Sequence, residues 1–594
     1  MNNEISLCMI VKNEEEYLPK CLESVKDIVD EIIIVDTGST DKTVEIAKEY
    51  GARVYYYKWN NNFSEARNVS LKYATKDWIL ILDADDELRA EYKDNFKLLL
   101  NTQLDENAVY YFETLNYYGN KIDDNCITVN LNPRMFKNGQ DIHYEGEIHN
   151  QLAYPHNKYD AVCPSVKIHH YGYLNKSIKV KDKRNRNISI LSELIKKEPN
   201  NKFNYFNLGN EYTALGDAKK ALEYYYKAYE DFNPTTGFSA ILLLKIIISN
   251  YNIHEYTKAL DFIDVSSKYY PKFTDVYFFK ALVYKDLDRP TLQIKALEKC
   301  IELGEPSPEL KFFYGSGSFK ACFELGNVYM KLKDYGTAYN YYIQAIKSNP
   351  NFIEPIYCIA RLLNEKNTNL DEFKAIIENL FSNSLKSYPI IADIFYKEGF
   401  YKISLEYVKK CEEANIVTDA ITMLKAKCLM RIGAFSECVD INTLNMDSPY
   451  YLHLSMYKVL SCILSNKVDQ ASSILFNFKE DTLLNYNKKL LRVYSELVRL
   501  FRNEPVAMLP EDKNENEYIF IILEICEILL INMLFDELKI AVNLLNLIDN
   551  TFALLYLGKL YYNYGFIDIA KKEILRSIKE FDIYDNESLD ILKV

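Results

Sequence analysis

The chain has no run of about 18 apolar residues, the length a helix needs to cross a bilayer. The nearest approach, Ile519 to Met533, is interrupted by Glu524 and Glu527 and fits a packed helix instead. No secretory signal is visible at the N-terminus, where the first strand candidate leads straight into a charged loop. Cysteines show no paired spacing. The 12 that occur are scattered, and Cys8, Cys322 and Cys428 occupy apolar positions, as reduced core thiols do. A cytoplasmic location is the expectation. Positive charge is not in excess: the net charge is −13 and no long basic stripe occurs, which argues against nucleic acid as a partner. Zinc-type Cys/His spacing is missing as well. Histidine is scarce, at 7 in 594 residues, yet five lie between positions 143 and 170, a clustering that suggests a site. A chain of this length exceeds a single core and permits two or three domains.

What is present starts with residues 79–87, Ile-Leu-Ile-Leu-Asp-Ala-Asp-Asp-Glu. The apolar run suits a buried parallel strand. Asp83, Asp85 and Asp86 at its carboxyl end repel one another unless something cationic sits among them, and such oxygen ligands suit Mg²⁺ or Mn²⁺. Upstream, Ile5–Val11, Ile32–Val35 and Arg53–Trp59 read as further strands. Helices are expected from Tyr17 to Val25, from an Asp41 N-cap to about Tyr50, and from Ser64 onward. The β-α-β-α-β-α-β alternation predicts a mostly parallel, Rossmann-like α/β sheet covered by helices. Ligands of such sheets sit beyond the carboxyl ends of the strands. Asn13, Asp36, Thr37 and the Asp83 cluster all fall there.

These pieces together resemble family 2 glycosyltransferases, which have the GT-A fold. The resemblance covers residues 5–90 and rests on Asn13-Glu14, Val35-Asp-Thr-Gly-Ser-Thr-Asp41, Ser64-Glu-Ala-Arg-Asn68 and Leu82-Asp-Ala-Asp-Asp86. It implies transfer from a nucleotide-activated sugar, usually with inversion. It places Val11, Asn13 and Asp36 around the nucleobase and ribose and Arg67 near the nucleotide. Asp85 becomes the main metal ligand, and Asp83 faces the ribose or the metal. Thr37 stands where many members carry a second acid that contacts uracil, so the base preference is less defined, although UDP is the favoured donor nucleotide. In a single-displacement reaction one general base takes the acceptor proton, and no covalent nucleophile is required.

Residues 130–152 resemble the acceptor-side segment of glycosyltransferases that carry helical repeats. Glu145 and His149 match that pattern, and Asn150 replaces its final acid. Glu145 is the candidate base and Glu147 the alternative. The stretch Ile168-His-His-Tyr-Gly-Tyr173 resembles one that closes the family's catalytic domain, which makes His149 and His170 the candidate histidine ligands of the metal. Lys176–Arg186, with six basic residues and one acid, reads as a solvated linker.

Beyond residue 200 the period turns helical. Tyr205, Leu208, Gly209, Tyr212, Gly216, Ala221, Tyr225 and Ala228 match a tetratricopeptide repeat, as do Leu325, Gly326, Tyr329, Ala338, Tyr342, Ala345 and Pro350, and later Leu557, Gly558, Tyr561, Gly565 and Ala570. Equivalent small-residue positions recur at the tetratricopeptide spacing, for example Gly326 and Ala360. About eight to eleven repeats fit, several degenerate. The expected organisation is a GT-A domain over 1–190, tetratricopeptide repeats over 191–385 and degenerate helical repeats over 386–594, forming an all-α superhelix. Such arrays usually bind an extended peptide or a protein. The expectation is therefore a metal-dependent hexosyl- or N-acetylhexosaminyl-transferase using Mn²⁺ or Mg²⁺. It would serve a protein or peptide acceptor modified on Ser, Thr or Cys, as in the peptide- and flagellin-modifying enzymes that this combination resembles. Cell-envelope polysaccharide assembly and a non-catalytic scaffold are the competing readings, and the array leaves room for a homo-oligomer.

Overall fold

The computed structural model describes residues 3–123, 126–154, 160–174, 177–381, 385–480, 483, 485–510 and 516–594. The chain divides into two compact units, residues 1–359 and 360–594. In the first unit the strands are β1 Ile5–Val11, β2 Glu31–Asp36, β3 Arg53–Tyr56, β4 Trp78–Ile81, β5 Asp86–Glu87, β6 Ala108–Gly119, β7 Ile127–Lys137, β8 His143–Glu145, β9 Gln151–Ala153, β10 Asp160–Val162 and β11 Lys167–Leu174. The helices interleaved with them are α1 Leu18–Val25, α2 Thr43–Glu49, α3 Phe63–Lys72, α4 Ala90–Leu100 and α5 Ser177–Lys197.

Nine strands form one sheet in the order β3-β2-β1-β4-β7-β6-β11-β5, with β10 beside β6. The β3, β2, β1 and β4 ladders are parallel, and β7 enters antiparallel to both β4 and β6. The core follows from the apolar runs: Leu7, Ile34 and Leu80 are fully or almost fully buried on one face, Cys8, Ile33 and Ile79 on the other. Strand β3 is shorter than the sequence suggests, because the chain leaves the sheet at Tyr57, whose amide still donates to the Asp36 carbonyl at 2.9 Å. Helix α2 starts at Thr43 with Lys42 at the cap position. Asp41 does not occupy that position, but its Oδ1 still accepts from the Thr43 amide at 3.1 Å. Helix α3 is capped by Asn62, whose side chain accepts from the Glu65 amide at 3.1 Å.

After α5 every regular element among the described residues is helical. The first hairpin is α6 Lys202–Ala214 and α7 Ala218–Tyr229. Its packing explains the repeat signature: a Cβ on Gly209 would lie 2.4 Å from the ring of Tyr225, so only glycine lets that buried tyrosine cross between the helices. Gly326 and Tyr342 repeat this arrangement at the same 2.4 Å. The acids that follow are matched too, with Asp217 capping Lys220 and Asp334 capping Thr337. Between helices 290–303 and 319–331, a connecting strap reaches the sheet. Phe313 bridges to Thr128, and the Val129 amide donates to the Phe312 carbonyl at 2.7 Å. The strap hangs on buried Asp275, which accepts from the Phe312 and Phe313 amides at 2.8 and 2.9 Å and from the Ser316 hydroxyl. In the second unit the apolar stretch near 519–533 forms helix 517–531, buried along most of its length. No described helix is long and apolar enough to cross a membrane.

Candidate active site

Strand β4 is buried at all four positions and delivers Asp83–Asp86 to the carboxyl edge of the sheet. A tight turn follows, with the Asp86 amide donating to the Asp83 carbonyl at 3.0 Å and the Asp83 amide to Asp86 Oδ2 at 2.8 Å. The three acids then separate by environment. Asp86 is 1% exposed. Its Oδ1 accepts from His170 Nδ1 at 2.9 Å and its Oδ2 faces Arg134 Nη1 at 3.0 Å, so both oxygens are engaged. Asp83 is paired with Arg67 of α3 at 2.6 Å and lies 3.6 Å from Arg134. Burial opposes the charge on Asp83, but Arg67 and Arg134 outweigh it and hold the carboxyl well below the usual range. The same pairing raises Arg67 above its ordinary value against the cost of burial.

Asp85 is held through its backbone, its carbonyl accepting from the Tyr171 amide at 3.0 Å. Its Oδ1 lies 3.4 Å from His170 Nδ1. Gly172 makes room for both groups: a Cβ there would sit 2.2 Å from Asp85 Oδ2 and 2.8 Å from His170 Nε2. Nδ1 of His170 faces Asp86 and its Nε2 faces Gly172, and an imidazole oriented by a carboxylate in this way is common in metal sites. Burial disfavours the His170 cation, but Asp85, Asp86 and Asp83 raise its pKa to about 9. Ligand atoms of Asp83, Asp86 and His170 lie within 4.8 Å of one another. Carboxylate oxygens with one imidazole fit Mn²⁺ or Mg²⁺.

The nucleotide-side candidates gather at the ends of the neighbouring strands, where Val11 and Asp36 are register partners. The Thr37 amide and hydroxyl both donate to the Val11 carbonyl at 3.0 Å. Asp36 is buried, and its carboxylate accepts from the Gly38 and Ser39 amides at 3.1 Å, so it also fixes its own turn. Asn13 adopts φ +56°, with its amide on Ser39 Oγ and its Oδ1 accepting from the Thr40 amide at 2.7 Å.

The acceptor-side candidates sit on β8 and in the loop of the β8–β9 hairpin, which docks on α3. Asn68 exchanges two bonds with the Tyr144 backbone, at 2.9 and 2.7 Å. Ser64 Oγ donates to the Gly146 carbonyl at 2.6 Å. Helix α3 thus carries Arg67 to the acids and anchors the Glu145 segment at once. Glu145 has a 68% exposed side chain, 3.2 Å from His143 Nε2. Glu147 lies 3.6 Å from Lys197 Nζ. His149, at φ +50°, is turned toward Glu211 Oε1 at 3.5 Å and so is placed with that residue rather than with the aspartates. Glu211 belongs to α6 and has a 1% exposed side chain. It accepts from Arg184 Nη1 at 2.9 Å and Asn187 Nδ2 at 3.0 Å. Burial opposes its charge, but the His149 contact and Arg184 lower its pKa. His169 is directed away from this edge, its Nδ1 3.0 Å from the Tyr117 hydroxyl, and burial lowers its pKa to about 3.

The structure therefore brings Asp83, Asp85, His170 and Arg67 together, gathers Val11, Asn13, Asp36 and Thr37 beside them, and sets His149 with Glu211. In the basic run, Lys176 and the side chains through Lys183 lie outside the described residues, as does His156. Arg184 is no solvated linker residue, since it is partly buried, pairs with the buried Glu211 and lies 5.8 Å from the Tyr173 ring. Asp86, Arg134, Gly172 and Glu211 have no assigned role in the sequence reading. Asp86 had the signal of the acid cluster, and Gly172 that of its Tyr-Gly-Tyr setting. Glu211 had none, because it lies inside a repeat helix.

Residues 6–125 match the model of glycosyl transferase family 2. Residues 319–352, and separately 204–230 and 274–303, match models of the tetratricopeptide repeat. The SPbeta prophage-derived glycosyltransferase SunS of Bacillus subtilis (strain 168) is 31% identical over 291 residues, 47% of this chain and 66% of SunS. The match thus spans just under two thirds of that relative. A TPR repeat-containing protein of Synechococcus elongatus is 32% identical over 267 residues, 43% of this chain and 64% of its own length. Among solved structures, glucosyl-3-phosphoglycerate synthase from Mycobacterium tuberculosis overlaps at a TM-score of 0.17 and 24% identity, covering 19% of this chain and 44% of that one.

Proposed function

We propose that this chain, a family 2 glycosyltransferase domain joined to tetratricopeptide repeats, moves a sugar from a nucleotide donor to a protein or peptide acceptor. The observation that carries the reading is the convergence of Asp83, Asp85 and His170 beside Arg67 at the carboxyl edge of a parallel sheet. A UDP-sugar is the donor we favour. Val11, Asn13, Asp36 and Thr37 form the rim that would take its base and ribose. Asp85, Asp83 and His170 are the residues that would hold a divalent cation, which when bound supplies positive charge against a departing nucleoside diphosphate. Arg67 keeps Asp83 ionised, and Asp86 with Arg134 keeps His170 oriented.

On the acceptor side, Glu145 is the proposed proton acceptor and Glu147 the alternative. Glu145 is exposed and its segment is fixed to α3, so it is free to meet an incoming hydroxyl or thiol. Inversion needs only that one base, with direct attack on the anomeric carbon. The repeats support an acceptor of polypeptide chemistry, since stacked helical hairpins present extended surfaces.

The test is a donor screen with UDP-, GDP- and dTDP-sugars, each with Mn²⁺, Mg²⁺ or chelator, with candidate acceptor proteins from a lysate. Metal-dependent sugar incorporation into protein is expected from a UDP-sugar. Incorporation unaffected by chelator contradicts the metal role, and donor turnover confined to lipid or glycan acceptors contradicts the polypeptide acceptor.

A further inference from the structure

The second unit contains a cavity of about 330 Å³ that the catalytic reading does not use. Its wall comes from four helices, 419–431, 451–464, 485–501 and 517–531. In an open array of hairpins the first of these would not meet the last. Here they touch. Arg431 Nη2 is 3.0 Å from Glu527 Oε2, and Asn532 Nδ2 donates to the Met430 carbonyl at 2.9 Å. The inner helices thus close around a pocket in place of a through-running groove. A space of that size suits one long side chain or a small molecule, not a folded surface.

The lining has a definite chemistry. Tyr457 and Tyr494 are buried, and Tyr450 and Tyr486 are partly exposed at 37% and 41%. His453 and Tyr486 stack with centroids 5.8 Å apart. Met423, Met456 and Leu490 supply apolar wall. The one acid of the lining is Glu524, which accepts from the Tyr457 hydroxyl. Burial, with Glu524 second, holds the Tyr457 and Tyr494 phenols far above their ordinary values, so these rings stay neutral. Burial lowers His453, so it adds no cation. Lys427 is the one basic residue of the wall, and its Nζ lies over the Tyr396 ring at 6.0 Å. A carboxylate among tyrosine faces and thioethers matches an organic cation with an apolar stem.

We propose that this pocket receives a lysine or arginine side chain of a bound polypeptide, the head group meeting Glu524 and the tyrosine rings and the stem lying along Met423 and Met456. The chain's net charge of −13 favours a basic partner. The inference deepens the polypeptide-acceptor reading, yet its test needs neither sugar donor nor metal, so the two fail separately.

The experiment is isothermal titration of the full chain with three probes: Nα-acetyl-arginine methylamide, its uncharged norleucine analogue, and a capped Gly-Ala-Arg-Ala-Gly pentapeptide. Saturable binding of the arginine amide is expected, with the norleucine analogue at least about tenfold weaker and the pentapeptide tighter than either. Glu524→Gln weakens the arginine amide about tenfold, and Lys427→Met, by removing a like charge, strengthens it. Tyr486→Leu, at the exposed mouth, keeps the fold and weakens binding, which covers the case in which Glu524→Gln unfolds the unit. No saturation up to about 20 mM overturns the proposal. So does equal binding of norleucine or weakening by Lys427→Met. A pentapeptide no tighter than the amide overturns the polypeptide source and leaves a free organic cation as the occupant.

Discussion

Asp86 is the buried acid of the cluster, held between Arg134 and His170, and Asp85 is the one whose Oδ2 lies with His170 Nε2 over Gly172. Their neighbours make the difference. Arg134 arrives from β7 and fills the inner side of the turn, while Gly172 of β11 leaves the outer side clear. An acid-rich turn after an apolar strand was legible in the sequence. Which acid is buried was not, because that depends on residues from strands far along the chain. Glu145 and Glu147 stand out in the sequence only by resemblance, and their side chains are exposed enough to meet a substrate. Gly172 offers a direct test. Its φ is not in the left-handed region, so Gly172→Ala is tolerated by the backbone but drives a methyl into Asp85 Oδ2 and His170 Nε2. Metal affinity, read by Mn²⁺ titration, should fall about 10- to 100-fold with the melting temperature nearly unchanged. Full retention of affinity would place the ligands elsewhere.

The repeat helices were legible as elements because their glycines and tyrosines serve packing at fixed spacing. Gly209→Ala would press a methyl into Tyr225 and should cost about 1–3 kcal/mol in urea unfolding. A neutral effect would mean that the hairpin opens easily. The strap after helix 290–303 was not legible, since its contacts with β7 leave no periodic trace. Its anchor Asp275 makes a pH prediction. Burial, only partly offset by the Ser316, Phe313 and Phe312 bonds, raises its pKa from 3.8 to about 6. The folded state therefore holds this proton more tightly than the unfolded chain. The stabilisation is present at low pH and is lost as pH rises through about 6. Relative to Asp275→Asn, the wild type should lose about 2 kcal/mol between about pH 4 and pH 7, followed by paired thermal melts. A relative gain over that range would contradict the assignment.

At the scale of the molecule, an α/β sheet followed by a helical array was readable from the change of period near residue 200. The sequence suggests divisions near 190 and 385, and packing divides the chain into units 1–359 and 360–594. Periodicity marks where helices begin, not which of them pack together. The strap bonds the early repeats to β7, and Glu211 of α6 ties them to Arg184 and His149, so these repeats belong with the sheet. The helices that enclose the Tyr457 pocket carry a degenerate repeat pattern, which gave no hint that they close on one another.

As proposed, Asp85 and its neighbours hold a divalent ion in support of a nucleotide donor. The most direct measurement is calorimetric titration of UDP into the full chain, with and without Mn²⁺, for the wild type and Asp85→Ala. Mn²⁺ should raise wild-type UDP affinity by at least about tenfold, and Asp85→Ala should abolish this gain while circular dichroism stays unchanged. Metal-independent UDP affinity in the wild type, or an undiminished Mn²⁺ effect in Asp85→Ala, would contradict it.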